Sequence, residues 1–140
     1  MRRKILVVDD DPEQLEIVRW SLKKAGFAIG TAANGVDALV KTRSVVPDLI
    51  VLDLMLPELN GFDICKTLRK NPTTAAIPII MLTGMRSEFS RLAGLEAGVN
   101  LFLNKPYAPE ELVAQVETLL KQTYAPSKAS NKSKTERARL

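Results

Sequence analysis

Five short apolar runs, separated by segments of a different periodicity, most constrain the fold of this 140-residue chain. The runs lie at 5–8, 27–33, 49–52, 77–82 and 101–103. Continuous apolar runs of this length are typical of strands that are buried on both faces of a sheet. Amphipathic segments at helical spacing lie between and after them, at 15–25, 35–45, 61–70, 86–97 and 109–121. This alternation predicts a doubly wound α/β fold, a five-stranded parallel sheet in the order 2-1-3-4-5 with right-handed helical crossovers.

Two compositional facts limit the chemistry. The chain has no histidine, which removes the commonest general base, the commonest metal ligand and any phosphohistidine of its own. Its single cysteine, Cys65, excludes an internal disulfide, and its spacing from Leu68 suits the buried side of a helix. Any reactive site must therefore use Asp, Glu, Lys, Ser or Thr.

The basic charge is concentrated at the carboxyl end. Of a net charge of +4, residues 121–140 hold six basic residues and one acid, with few large apolar side chains. We therefore expect one domain over 3–121 and a basic, disordered tail or linker over 122–140. A solvated linker is favoured over binding of nucleic acid or membrane by this tail. No apolar stretch approaches the roughly 18 residues of a membrane span, and the start lacks a signal-peptide pattern, so we expect a cytoplasmic protein without membrane insertion.

Polar residues stand where four of the predicted strands end. Asp9 and Asp10 follow the first strand, Asp53 the third, Thr83 the fourth and Lys105 the fifth. The carboxyl ends of parallel strands lie along one edge, and ligands bind there, where the strand order reverses. Three acids, a hydroxyl and an ammonium are therefore predicted to converge.

The chemistry of this group favours a metal-assisted phosphate site. Clustered carboxylates without His or Cys favour a hard cation such as Mg²⁺, which is commonly held by one or two carboxylates and a phosphate oxygen. Lys105 and Thr83 would contact the phosphoryl oxygens by charge and by hydrogen bond. Asp53, at the end of the central strand, is the predicted nucleophile, with Asp9 and Asp10 holding the metal.

Asp11, the third acid in the run Asp9, Asp10 and Asp11, has a different predicted role. Asp11 precedes Pro12, which suits the first position of a helix, and Gln14 follows three residues after Asp11. This spacing predicts a capping box, in which Asp11 caps the helix and Gln14 reaches back to the amide of Asp11.

Four motifs in order carry a resemblance to a known family: "ILVVDDD", "LIVLDLMLPELNG", "MLTG" and "NKP". At these intervals the chain resembles, over residues 3 to about 121, the response-regulator receiver domain of two-component signal transduction. The resemblance implies a flavodoxin-like, chemotaxis-type (βα)5 fold. It also implies a phosphoprotein that takes a phosphoryl group from a partner's phosphohistidine as an aspartyl phosphate.

The resemblance assigns a role to each site residue. Asp53 would be the phosphoacceptor. Mg²⁺, with Mn²⁺ as a substitute, would be held by Asp10, Asp53 and the backbone carbonyl of Met55, with Asp9 acting through water. Thr83 and Lys105 would bind the phosphoryl oxygens, and the bond from Lys105 to Pro106 would be cis. Thr83 and Phe102 would form a switch that alters the face made by the fourth helix, fifth strand and fifth helix.

The implied partners are a sensor histidine kinase or a histidine phosphotransfer protein, and a downstream protein that the sequence does not identify. Receivers of this family that dimerise on DNA usually carry an acidic pair and an arginine where this chain has Asn100, Leu101 and Gln115, which counts against that dimer class. Direct DNA binding by this chain is not expected. The chain would assist its own phosphorylation and dephosphorylation without turning over an external substrate.

Two alternative functions would require different residues. A Mg²⁺-dependent phosphohydrolase of the haloacid dehalogenase type needs a second acid two residues after its nucleophile, and Met55 stands there. A receiver-like interaction module without phosphorylation would lack the acceptor, a metal acid or the lysine, and none of these is missing.

Overall fold

The computed structural model describes residues 2–84 and 88–124, in which strands and helices alternate along the chain. The strands are β1 (Lys4–Val8), β2 (Ala28–Ala32), β3 (Leu49–Asp53), β4 (Ile79–Thr83) and β5 (Leu101–Asn104). The helices are α1 (Pro12–Lys24), α2 (Gly35–Val45), α3 (Gly61–Lys70), α4 (Glu88–Ala97) and α5 (Pro109–Tyr124). Each predicted strand and helix is present, and residues 86–87 of the fourth predicted helix lie outside the described residues.

The strands form one parallel sheet in the order β2-β1-β3-β4-β5, which confirms the predicted topology. In its register Asp53 lies beside Leu82, and Thr83 beside Asn104. The chain order reverses between β1 and β3, so the end of β1 and the end of β3 lie next to each other. This is the edge at which ligands bind in doubly wound folds.

Both faces of the sheet are covered. The cluster on one face includes Ala38 from α2, Cys65 from α3 and Ala97 from α4. The cluster on the other face includes Val18 from α1 and Val116 from α5. β1, β3 and β4 are almost entirely buried, as their apolar runs predict, whereas β2 is an edge strand and is only partly covered. Cys65 is buried, consistent with a packing role.

The helix ends follow local signals. The side chains of Asn34 and Asn60 accept the backbone N–H groups three residues onward, so each is an N-cap. Helix α5 extends to Tyr124, three residues past the predicted domain end, and residues 125–140 of the predicted tail lie outside the described residues. No helix within 2–84 or 88–124 has the length and apolarity that crossing a membrane requires.

One arginine ties α3 to the segments that precede β4 and β5. The Arg69 guanidinium donates to the backbone carbonyls of Ala75, Ile77 and Gly98, at 2.6 to 3.0 Å. It also donates to the side-chain oxygen of Asn100 at 2.8 Å, and that oxygen accepts the N–H of Ile79 as well. These bonds hold the segments that lead into β4 and β5. Thr83 lies at the other end of β4, and Lys105 follows the other end of β5.

Candidate functional site

Three carboxylates converge at the carboxyl edge of the sheet. One oxygen from each of Asp9, Asp10 and Asp53 can be chosen so that all lie within 4.8 Å of one another. Asp9 and Asp53 are 2% and 4% exposed, whereas Asp10 is exposed to solvent. The structure therefore brings together the three acids that the sequence predicts at the strand ends. Two of these carboxylates are buried, and the third faces solvent.

Both carboxylate oxygens of Asp53 have a partner. One of its carboxylate oxygens accepts the backbone N–H of Met55 at 3.2 Å, and the other lies 3.2 Å from Nζ of Lys105. Gly61, at the start of α3, lies directly beneath the end of β3. A Cβ there would be 2.9 Å from Cα of Leu54 and 3.0 Å from the carbonyl oxygen of Asp53, so glycine permits this close approach. Asp53 is therefore held at both carboxylate oxygens, at the carboxyl end of the central strand.

Lys105 and Thr83 come from the two neighbouring strands. The backbone N–H of Lys105 donates to the carbonyl of Thr83 at 2.8 Å, which joins the ends of β4 and β5. The bond from Lys105 to Pro106 is cis, as the resemblance predicted. Thr83 is 2% exposed and stands one position past the register partner of Asp53. Both residues therefore lie at the predicted edge.

Burial and the neighbouring negative charges both affect the pKa of the Asp9 carboxyl. Burial raises the pKa of its carboxyl above the ordinary value, and the charges of Asp53 and Asp10 add to this, while the N–H of Asp11 and the charge of Lys105 oppose it. Oδ2 of Asp9 is buried without a hydrogen-bond partner among the described residues. A buried oxygen without a partner, in a set of oxygen ligands without His or Cys, fits a hard divalent cation.

The helix cap predicted at Asp11 is present, but the predicted capping box is wrong. Asp11 is the N-cap of α1, and its side chain accepts the N–H of Glu13 at 3.1 Å. The amide of Asp11, however, donates to Oδ1 of Asp9 at 3.0 Å. Because Asp9 takes that donor, Gln14 does not reach back, and its side-chain amide instead donates to the hydroxyl of Tyr107 at 3.0 Å.

The cap can be tested by replacing Asp11. Asp11→Ala should lower the free energy of unfolding by about 1 kcal/mol, since it leaves N-terminal amides of α1 without a side-chain acceptor. Urea denaturation would measure this, with Glu13→Ala as a matched control that removes a neighbouring acid but no cap. Unchanged stability with lost Mg²⁺ binding would instead place Asp11 among the metal ligands.

Sequence reasoning gave Gln14 a different role and missed Tyr107; their side chains meet, and both residues line an open cleft of about 550 Å³. The acids Asp9, Asp10, Asp11 and Asp53 line it together with Gln14, Met55, Lys105, Pro106 and Tyr107. Burial raises the pKa of the Tyr107 hydroxyl, and the nearby charges of Asp9 and Asp53 raise it further, whereas the hydrogen bond from Gln14 lowers it. The position of Tyr107, two residues after Lys105, was the signal available in the sequence.

Phe102 and Met55 lie on different sides of this site. Met55 lines the cleft and its side chain is 67% exposed. Phe102, in the middle of the edge strand β5, packs against the core cluster under α2, α3 and α4. Phe102, the predicted switch residue, therefore lies outside the cleft. Leu103 and Asn104 of β5 separate it from Lys105.

The chain has relatives among curated proteins. It is 41% identical over 123 residues to the alkaline phosphatase synthesis transcriptional regulatory protein PhoP of Bacillus subtilis, covering 88% of this chain and 50% of that protein. It is 42% identical over 122 residues to the DNA-binding response regulator MtrA of Mycolicibacterium smegmatis, covering 87% and 52%. The chain thus spans about half the length of the curated relatives it matches.

Solved structures give the same result. The chemotaxis protein CheY4 of Vibrio cholerae is 32% identical, with a TM-score of 0.81, and the match covers 84% of this chain and 98% of that one. A two-component response regulator of Clostridium difficile is 30% identical, with a TM-score of 0.82 and coverage of 89% and 100%. Neither alternative, the phosphohydrolase or the unphosphorylated interaction module, is favoured by these matches. Since the family model of the response regulator receiver domain also matches residues 5–117, the chain belongs to the receiver domains of two-component response regulators.

Proposed function

We propose that Asp53 is the phosphoacceptor of this receiver and takes its phosphoryl group from the phosphohistidine of a sensor histidine kinase or a histidine phosphotransfer protein. The observation that carries this proposal is the environment of Asp53. It is a buried carboxylate at the end of the central strand, 3.2 Å from the ammonium of Lys105 and clustered with two further acids. The cleft of about 550 Å³ gives access to it.

The transfer itself needs little from the protein beyond position and charge. An Asp53 oxygen forms the new P–O bond while the P–N bond of the donor imidazole breaks, and the imidazole leaves with that electron pair. The ammonium of Lys105, now against Asp53, would move its contact to a phosphoryl oxygen. The Thr83 hydroxyl, on the neighbouring strand, would donate a hydrogen bond to another.

Asp9, Asp10 and Asp53, with the backbone carbonyl of Met55, would hold Mg²⁺, with Asp9 acting through water. When bound, the ion supplies positive charge that neutralises the carboxylates and the phosphoryl oxygens. The clustering of three carboxylates supports this assignment, as does Oδ2 of Asp9, which has no hydrogen-bond partner among the residues that the structure describes. Mn²⁺ would occupy the same oxygen ligands.

The output surface would be the face made by α4, β5 and α5. Thr83 and Phe102 would couple it to the phosphoryl group, and Leu92 and Leu95 of α4 are 59% and 66% exposed there, which suits a protein partner. A shift of such a two-state balance from 1:99 to 99:1 takes about 5.5 kcal/mol of differential stabilisation. We place this signalling in the cytoplasm, where a kinase would meet it.

Direct DNA binding is not part of the proposal for this chain, although PhoP and MtrA are a transcriptional and a DNA-binding regulator. Asn100 stands where receivers that dimerise on DNA carry an acid, and its side-chain oxygen is occupied by Arg69 and Ile79. Because this oxygen of Asn100 already accepts two hydrogen bonds within the fold, it does not favour a contact across a dimer.

The proposal is tested by treating the purified protein with acetyl phosphate. With Mg²⁺ present, intact-mass spectrometry should show a gain of one phosphoryl group that is stable to acid and lost in base. With EDTA in place of Mg²⁺ the gain should disappear. Absence of any gain with Mg²⁺ would overturn the phosphoacceptor, and equal gain in EDTA would overturn the metal requirement.

A further inference from the structure

We propose that Gly94, in the interior of α4, is the positioning residue that seats the aromatic ring of Phe102. A Cβ atom built at Gly94 would lie 2.0 Å from Cζ and 2.6 Å from Cε2 of Phe102. Non-bonded carbon atoms attract best at about 3.5 to 4.0 Å, so a side chain at position 94 and the ring in its present place exclude each other. The ring lies directly against the helix backbone.

The ring has defined neighbours on its other sides. It meets Phe62 of α3 edge to face, with 6.4 Å between the ring centroids and 81° between the planes, a favourable aromatic geometry. The guanidinium of Arg91, one turn before Gly94, lies 5.9 Å from the Phe102 centroid. The ring therefore fills a niche built from α3 and α4.

Backbone geometry does not require glycine at position 94. Gly26 and Gly98 have φ of 106° and 95°, in the left-handed region that favours glycine, whereas Gly94 is not among the positive-φ residues of the described chain. Within the ten residues of α4 a glycine weakens the helix relative to alanine. The close approach of Phe102 is the structural feature that accounts for it.

This inference rests on the proposed function in one respect, the role of Phe102 as the switch. If the ring position seen here is coupled to the phosphorylated site, a methyl group at position 94 removes that position from the ensemble. A ligand at the phosphoacceptor that favours this ring position must then bind more weakly, because linkage is reciprocal. Beryllofluoride, which mimics a phosphoryl group on a carboxylate, is a suitable probe.

The seating is tested by Gly94→Ala, with ring signals of the four phenylalanines followed by ¹H–¹³C NMR and the Phe102 signal assigned with Phe102→Leu. Gly94→Ala should move the Phe102 signal toward values of an exposed ring. Gly30→Ala is the matched control, because a Cβ there would make an ordinary contact of 3.6 Å with Leu6 and should leave Phe102 unchanged.

A double-mutant cycle separates seating from helix propensity. If Gly94 serves only as a weak helix former, alanine should raise the urea midpoint equally with Phe102 or with Phe102→Ala. If Gly94 seats the ring, alanine should lower the midpoint in the wild-type background and raise it when Phe102 is alanine. An equal rise in both backgrounds, or an unmoved Phe102 signal, overturns the proposal.

The coupling between the Phe102 ring and the phosphoacceptor site is measured separately, by beryllofluoride binding. Gly94→Ala should weaken beryllofluoride binding in Mg²⁺ by about tenfold, within the usual range of such couplings. A displaced ring with unchanged beryllofluoride affinity supports the seating and overturns the switch role of Phe102. Failure of the wild-type protein to bind beryllofluoride overturns the proposed phosphoacceptor, while the NMR and urea results still decide the seating.

Discussion

Replacement of Asp53 by asparagine is expected to abolish the phosphoryl gain from acetyl phosphate and Mg²⁺. Asparagine keeps the shape of the side chain and can still accept the N–H of Met55, which is 3.2 Å from Oδ1. It lacks the anionic oxygen that must form the P–O bond, and it loses the charge that pairs with Lys105. Intact-mass spectrometry should therefore show only unmodified protein under conditions that convert the wild type.

Asp63→Asn is the matched control for this loss. Asp63 is an exposed acid in the first turn of α3, ten positions along the chain, and lies outside the carboxylate cluster. Its replacement should leave the phosphoryl gain unchanged, with circular dichroism confirming that both variants are folded. Labelling of Asp53→Asn at the wild-type level would show that another carboxylate is the acceptor and would sink the central proposal.

Most of the secondary structure could be predicted because its signals are local. The sequence predicts helices over 35–45 and 61–70, and α2 and α3 occupy those residues. In each case an Asn–Gly pair marks the start, and the asparagine side chain caps the helix within three residues. Such signals require no knowledge of the rest of the chain.

The carboxylate cluster could be predicted for a different reason. Asp9 and Asp53 are 44 positions apart in sequence, but a parallel sheet places the carboxyl ends of its strands on one edge. The order of the strands therefore implies that these acids converge with Lys105. Topology therefore supplied the long-range information that composition alone lacks.

The contacts that escaped prediction are tertiary and carry no residue-type signature. Gln14 was expected to cap its own helix, a local role, but it bonds to Tyr107, 93 positions away. Three acceptors of Arg69 are backbone carbonyls, which every residue provides, so no pattern of letters marks them. The contact of Gly94 with Phe102 likewise depends on how close one helix lies to one strand.

Asp9→Asn is expected to stabilise the metal-free protein by about 1–2 kcal/mol, because it removes a buried negative charge that neighbouring carboxylates repel. Asp9 is 2% exposed, and its Oδ2 has no hydrogen-bond partner in the described part of the chain. Asparagine keeps an oxygen for the N–H of Asp11 and removes the negative charge beside Asp53 and Asp10. Urea denaturation in EDTA measures the gain, and Asp63→Asn should change stability by less than about 0.5 kcal/mol.

The stability that Asp9→Asn gains in EDTA should depend on pH, and the pKa of Asp9 gives the direction of this dependence. Because burial raises the pKa of Asp9 in the folded protein, the folded state keeps a proton that the unfolded state has already lost. This component of wild-type stability therefore falls as pH rises from the unfolded carboxyl pKa through the folded one, and then stays constant. Asp9→Asn lacks the component, so its advantage in EDTA should grow across that interval.

Magnesium should reverse the ranking of the two proteins. A ligand that binds only the folded state adds about 2.7 kcal/mol at one hundred times its dissociation constant, and the wild type should gain this while Asp9→Asn gains much less. Wild type would then be the more stable protein in Mg²⁺ and the less stable one in EDTA. An equal response of both proteins to Mg²⁺ would remove Asp9 from the metal site. A loss of stability in EDTA on Asp9→Asn would mean that the carboxylate stabilises the fold, and that the repulsion among the three acids is offset by the protein itself.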